Sequence, residues 1–131
     1  MFNKKKQPPI KSLIAEGSVI TGNIEFTEGL RIDGTVVGNI TARSEDASLL
    51  VISEIAQVTG DVLADHIIVN GHIQGPVHAR RMLELQPKAR VEGDVRYAAL
   101  EMHQGALISG LLSPILESDE KPTLKLAANN Q

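Results

Sequence analysis

At 131 residues, 42% apolar but only 2% aromatic, the chain has room for one domain whose core must be built from Val, Ile, Leu and Ala. The absence of cysteine excludes disulfides and thiolate metal sites and is consistent with a reducing cytoplasm. A net charge of −3 argues against general nucleic-acid binding, and no apolar run approaches the ~18 residues of a membrane span.

Residues 1–12 carry Lys4, Lys5, Lys6, Pro8, Pro9 and Lys11, a charged, proline-broken stretch expected to be a disordered tail. No apolar core follows the lysines, so the stretch does not read as a secretory signal. Met1 and Phe2 can enter a lipid headgroup region while Lys4, Lys5 and Lys6 face anionic lipid at ~1 kcal/mol each. These five residues are the candidate membrane contact. The plainer reading is a solubilising basic start.

From about residue 13 a five-residue pattern recurs: apolar, any residue, Gly, any residue, apolar. Its copies are Ile20-Thr21-Gly22-Asn23-Ile24, Val36-Val37-Gly38-Asn39-Ile40 and Val58-Thr59-Gly60-Asp61-Val62. Three more follow: Ile73-Gln74-Gly75-Pro76-Val77, Val91-Glu92-Gly93-Asp94-Val95 and Ile108-Ser109-Gly110-Leu111-Leu112. Successive motif glycines lie 16, 22, 15, 18 and 17 residues apart. A second apolar segment precedes the motif, beginning at Leu30, Leu50, Ile67, Leu83 and Leu100. Its first residue stands 8 positions before the motif glycine in the Leu30 and Ile67 units and 10 in the others.

Apolar residues two apart point to one side of a strand, and a glycine between them suits a bend. A period near 18, divided among three short faces, is one coil of a parallel β-solenoid. Six coils at ~4.8 Å make a rod roughly 29 Å long. A helical repeat would need apolar residues at i, i+3 and i+4, and a glycine in each copy would weaken it. The expected fold is therefore all-β: a single β-helix of about six coils over residues 13–114, with disordered termini. Residues 43–48 read as a loop inserted at a corner.

Residues 115–131 include Glu117, Asp119, Glu120 and Pro122 and read as a second disordered tail. Neither tail resembles the polar capping unit that keeps a repeat protein monomeric. An uncapped sheet edge templates another chain, and repetition of an open end-to-end contact makes a fibre. The candidate polymerisation interface is Val19, Ile20 and Ile24 in the first coil and Leu107, Ile108, Leu111 and Leu112 in the last.

Chemistry-bearing residues are few. His66, His72, His78 and His103 invite a metal reading, but no carboxylate is expected to orient His72 or His78, and solvated surface histidines are the better account. Asp61, Glu92 and Asp94 sit beside motif glycines on a convex surface with no pocket to exclude water, and read as solubilising charge. The Gly34…Gly38 stretch lacks the Lys-Ser/Thr ending and following helix of a phosphate loop. No catalytic residue, metal ligand or cofactor-binding residue is assigned, and no cofactor is expected.

The run Leu30-Arg31-Ile32-Asp33-Gly34-Thr35-Val36-Val37-Gly38-Asn39-Ile40 resembles the signature of the bactofilins, bacterial cytoskeletal proteins, and the similarity extends through Gly60-Asp61-Val62 and Gly93-Asp94-Val95. The resemblance implies a right-handed parallel β-helix and nucleotide-independent filaments that scaffold cell-shape or cell-wall machinery. It also implies unstructured tails and a short N-terminal membrane-targeting peptide similar to Met1-Phe2-Asn3-Lys4. The expected partners are further copies of the chain, the inner face of the cytoplasmic membrane and cell-wall or morphogenesis proteins. The insertion at 43–48 and Ile108, where an aromatic is expected, depart from the family pattern. Two rival readings are a left-handed β-helix enzyme, of acyltransferase or carbonic anhydrase type, and a monomeric β-solenoid adaptor.

Overall fold

The computed structural model describes residues 7–43 and 47–116, so both expected tails and residues 44–46 of the expected insertion lie outside the described residues in whole or in part. Fifteen strands wind through six coils. The first coil holds β1 (Ile10–Ile14), β2 (Val19–Thr21) and β3 (Ile24–Phe26); the second holds β4 (Gly29–Ile32), β5 (Thr35–Val37) and β6 (Ile40–Ala42). The third opens with β7 (Leu49–Ile52) and β8 (Gln57–Thr59), and β9 (Val62–Val69) then bends through a corner into the fourth. There β10 (His72–Gln74) follows, and β11 (Val77–Leu85) passes into the fifth coil with β12 (Arg90–Glu92). The sixth is reached along β13 (Val95–Met102) and closes with β14 (Leu107–Ser109) and β15 (Leu112–Pro114). Every pairing is parallel, coil to coil. The expected parallel β-solenoid of about six coils is what the chain forms.

Three faces result. The second face is a sheet of its own, ordered β2-β5-β8-β10-β12-β14, and carries the first apolar residue of each motif. The first and third faces merge into one nine-stranded sheet because β9, β11 and β13 run unbroken round the corner between them.

Inward side chains stack in register into ladders that run the length of the rod. On the second face the ladder is Ile20, Val36, Val58, Ile73, Val91 and Ile108. On the third it is Ile24, Ile40, Val62, Val77, Val95 and Leu112. The middle four members of each ladder are sealed from solvent, at 0–1% exposure. Each fully buried Val, Ile or Leu contributes about 1.5–3 kcal/mol, and β-branched side chains match the spacing of stacked strands. Ala42, Ala64 and Ala79 form a narrow buried column at the corner between the third and first faces, with Phe26 below and Tyr97 above.

The corners explain the uneven spacing. Between the first and second faces, coils one, three, five and six make a four-residue turn, as in the bond from the Ala56 N–H to the Ser53 carbonyl (3.0 Å). Coils two and four cross the same corner with only Asp33-Gly34 and Asn70-Gly71. That two-residue saving is the difference between the intervals of 8 and 10 read from the sequence. Glycine is required at the short corners because a Cβ on Gly71 would stand 2.2 Å from the Ser53 carbonyl oxygen of the coil beneath.

The interval of 22 arises at the corner between the third and first faces, where residues 43–48 join β6 to β7. Ser48 is buried there and held by Asp65 of the next coil. The Ser48 N–H donates to Asp65 Oδ2 (3.0 Å), and the Asp65 N–H donates to Ser48 Oγ (2.9 Å). Arg80 Nε donates to Asp65 Oδ1 at 2.7 Å, so the buried carboxylate is matched in charge and in hydrogen bonds. Composition reveals no such network.

Candidate assembly surfaces at the coil ends

A strand in the middle of the rod is paired on both sides, whereas β1, β2 and β3 pair only with the second coil and β14 and β15 only with the fifth. Among the described residues, each end of the rod therefore presents three short strand edges and the last rung of each apolar ladder. Eleven large apolar residues are exposed among those described. Ile10, Leu13, Val19 and Ile20 belong to the first coil, and Met102, Leu107, Leu111, Leu112 and Leu116 to the last; only Val37 and Ile55 lie elsewhere.

The proposed interface residues fall on these ends. In the first coil Ile20 is 37% exposed, although its ladder neighbour Val36 is fully buried, and Ile24 is half-buried. Val19 points outward from β2 and is 66% exposed. In the last coil Ile108 and Leu112 are the terminal rungs of the second-face and third-face ladders, half-buried and exposed respectively. Leu107 and Leu111 flank them and face solvent. Ile10, Leu13, Met102 and Leu116 extend the same surfaces and were not singled out by motif, because they fall outside the five-residue pattern.

Motif glycines form a column. Gly22, Gly38, Gly60, Gly75, Gly93 and Gly110 all have φ between +133° and +157°. A Cβ on Gly60 would stand 2.2 Å from the carbonyl oxygen of Gly38 in the coil below, while one on Gly22 would meet nothing within 4 Å. Beside this column runs a ladder of amide and carboxylate oxygens. Asn23 Oδ1 accepts from the Asn39 N–H (2.9 Å), and Asn39 Oδ1 accepts from the Asp61 N–H (2.9 Å). Asp94 Oδ1 accepts from the Leu111 N–H (3.1 Å). Asp94 therefore ties the last coil to the fifth, a structural role beyond the solubilising one expected for it.

The histidines also need correcting. His72 Nε2 lies 2.8 Å from Glu92 Oε2, so a carboxylate does orient it, and Glu92 is this partner as well as surface charge. His103 Nε2 lies 3.0 Å from Glu101 and 3.8 Å from Glu84. The ligand-type atoms of Glu84, Glu101 and His103 come within 4.8 Å of one another on the outer surface of the first face. Glu84 is already engaged by Gln86, which leaves this trio a surface ion-pair cluster. Burial lowers the pKa of His66, against Glu84 and Glu101, which raise it. Burial also lowers that of His78, helped by the positive charges of Arg96 and Arg80. Among the described residues, the larger hollows are shallow grooves on the outside of the coils.

Met1, Phe2, Lys4, Lys5 and Lys6 lie outside the described residues. No helix long and apolar enough to cross a membrane occurs among the residues described.

The sequence profile of the bactofilin family, described as polymer-forming cytoskeletal, matches residues 12–113. A protein named bactofilin BacO from Myxococcus xanthus (strain DK1622) is 27% identical over 109 residues, which covers 83% of each chain. No solved structure matches the chain. The resemblance carried by residues 30–40 thus extends over the whole solenoid, and the chain belongs to the bactofilin family of polymer-forming cytoskeletal proteins.

Proposed function

We propose that this bactofilin assembles end to end into filaments without nucleotide, lies against the inner face of the cytoplasmic membrane, and scaffolds cell-shape or cell-wall machinery. The observation that carries the reading is the distribution of exposed apolar surface: among the described residues, nine of the eleven exposed large apolar ones belong to the first and last coils. A ladder sealed to 0–1% through its middle four members and open to solvent at its tips lowers its free energy when another tip covers it. Unpaired strand edges at the same places add a template for backbone pairing. The family description, polymer-forming cytoskeletal, supports the same reading. Tails on either side of the rod are part of the proposal; β1 begins at Ile10, ahead of the boundary at residue 13 read from the repeat.

The family is a structural one, and we assign no catalytic role. Membrane contact through Met1, Phe2, Lys4, Lys5 and Lys6 is part of the proposal and rests on their chemistry. Filament display would multiply a weak single-copy affinity.

The test is sedimentation of the wild-type chain against Ile108→Arg and Leu112→Arg. An arginine at a terminal rung stays solvated in the free rod but is buried without a partner when two rods meet. Wild type is expected in the pellet and both variants in the supernatant, with unchanged far-UV circular dichroism. Pelleting by both variants at wild-type concentrations would move the contact away from the last coil.

A further inference from the structure

The second face differs from the other two in how little charge it carries. Two outward side chains on each of its six strands make two columns, one on either side of the buried ladder. The half toward the first coil presents Val19, Thr21, Thr35, Val37, Gln57 and Thr59, with no charge among them. In the other half only His72, Arg90 and Glu92 are ionisable, beside Gln74, Leu107 and Ser109. All are exposed except the half-buried Thr35 and His72. The larger hollows lie on the other sides of the rod.

Several of its polar groups are matched along the rod. Thr59 Oγ1 donates to Gln74 Oε1 and Gln74 Nε2 to Glu92 Oε1, both at 3.5 Å, and His72 Nε2 lies 2.8 Å from Glu92 Oε2. Arg90 is held through its Nη1, which donates to the Ala89 and Gly105 carbonyls at 2.8 and 3.2 Å. The two charged residues of β12 stand in different columns. Arg90 follows Gln57 and His72 in one, and Glu92 follows Thr59 and Gln74 in the other. A second rod laid on this face about a two-fold axis parallel to its length meets it coil for coil with the columns exchanged. Arg90 of each rod then lies over Glu92 of the other, Val37 over Thr35 and Leu107 over Ser109. Antiparallel rods would instead lay Arg90 over Thr35 and Glu92 over Val37, burying both charges against uncharged groups.

We propose that the second face is a contact between two copies of this chain, with parallel axes and Arg90 of each rod against Glu92 of the other, and that it pairs filaments side by side. It rests on the end-to-end assembly proposed above and adds a lateral contact. A second copy is the occupant favoured because the face is complementary to itself in charge and the contact covers Val37, one of the two exposed large apolar residues away from the ends among those described. Area sets the order of events. Six strands at ~4.8 Å and three residues at ~3.3 Å give a footprint of roughly 290 Å² per rod, against about 800 Å² per partner in a stable pair. Single rods therefore stay apart, and roughly three joined end to end reach that area.

Centrifugation of the full-length chain at two speeds tests this, since low speed collects paired and bundled filaments and high speed collects single ones too. Wild type is expected in the low-speed pellet. Arg90→Glu and Glu92→Arg each set like charges against each other, and each should pellet about five-fold less or lower at low speed while still pelleting at high speed. Mixing the two variants after each has polymerised should restore low-speed pelleting, because every like-charge contact becomes an opposite one. Ile108→Arg rods should pellet at neither speed. Low-speed pelleting of both single variants at the wild-type level, or a mixture that stays in the supernatant, would overturn the contact. Wild-type filaments that stay single at every concentration would leave the face to a different partner and overturn it too, with end-to-end assembly still standing. A wild type that pellets at neither speed would overturn that assembly and the pairing with it. Ile108→Arg rods in the low-speed pellet would overturn the dependence of pairing on filaments.

Discussion

A glycine in a strand usually weakens it, yet six recur here at one place, and at five of them the backbone of the preceding coil occupies the space of a side chain. Gly60→Ala would press a methyl to 2.2 Å from the Gly38 carbonyl oxygen in a left-handed conformation at φ +145°, and neither backbone can retreat without breaking the ladder. A loss of about 3 kcal/mol or more is expected, read from urea denaturation midpoints. Gly22→Ala meets nothing within 4 Å and carries only the strain of its φ, so a loss of about 1 kcal/mol is expected. Equal losses at the two positions would contradict the stacking account. Asn39→Ala leaves the Asp61 N–H without its acceptor and should cost about 1 kcal/mol. The spacing of these glycines was legible in the sequence, but the carbonyl that demands them was not, because it arrives from a neighbouring coil. Asn23, Asn39 and Asp94 were equally visible after their glycines. Nothing in a single sequence distinguishes an oxygen that accepts an N–H from one that merely faces water.

Among the elements, the strands were easy to read and the corners were not. Val and Ile alternating about each glycine announce β5, β8 and β10, and the intervals of 8 and 10 already recorded which corners are short. Their cause, a two-residue turn at Asp33-Gly34 and Asn70-Gly71 nested over a four-residue one, appears only when coils are laid on each other. The corner held by Asp65 left no sequence signal, since Ser48 and Arg80 lie 17 and 15 residues away. Asp65→Ala would orphan the Ser48 N–H and leave Arg80, itself partly buried, without its carboxylate. A loss of about 3 kcal/mol is expected by thermal or urea unfolding. A loss under about 1 kcal/mol would show that the corner rests on packing alone.

Titration of the same region has a definite sign. His66 and His78 both have pKa values lowered in the folded chain from 6.5, first by burial. Above pH 6.5 both are neutral whether folded or not, and their neutrality costs nothing. As the pH falls below that value the unfolded chain takes up protons that the folded chain resists, so stability declines on acidification. Urea midpoints at pH 7.5 and 5.5 should show this decline, and His78→Gln should reduce it. A midpoint that rises toward pH 5.5 would reverse the assigned direction.

At the scale of the whole molecule, the sequence spoke plainly about the fold and only indirectly about its ends. The lack of polar caps pointed to exposed terminal rungs, and Ile20, Ile108 and Leu112 stand where the motif predicts, at the tips of ladders otherwise closed to solvent. Leu13, Met102 and Leu116 enlarge those surfaces and became visible only in three dimensions. The path of Gln7 to the fourth coil was hidden as well, since a proline-rich start gives no hint of where it folds back.

The central claim is assembly through the ends, and negative-stain electron microscopy of the purified chain, without nucleotide at micromolar concentration, tests it most directly. The account predicts thin unbranched filaments for the wild type and discrete short particles for Ile108→Arg. Wild-type protein that stays as small separate particles at every concentration would contradict it.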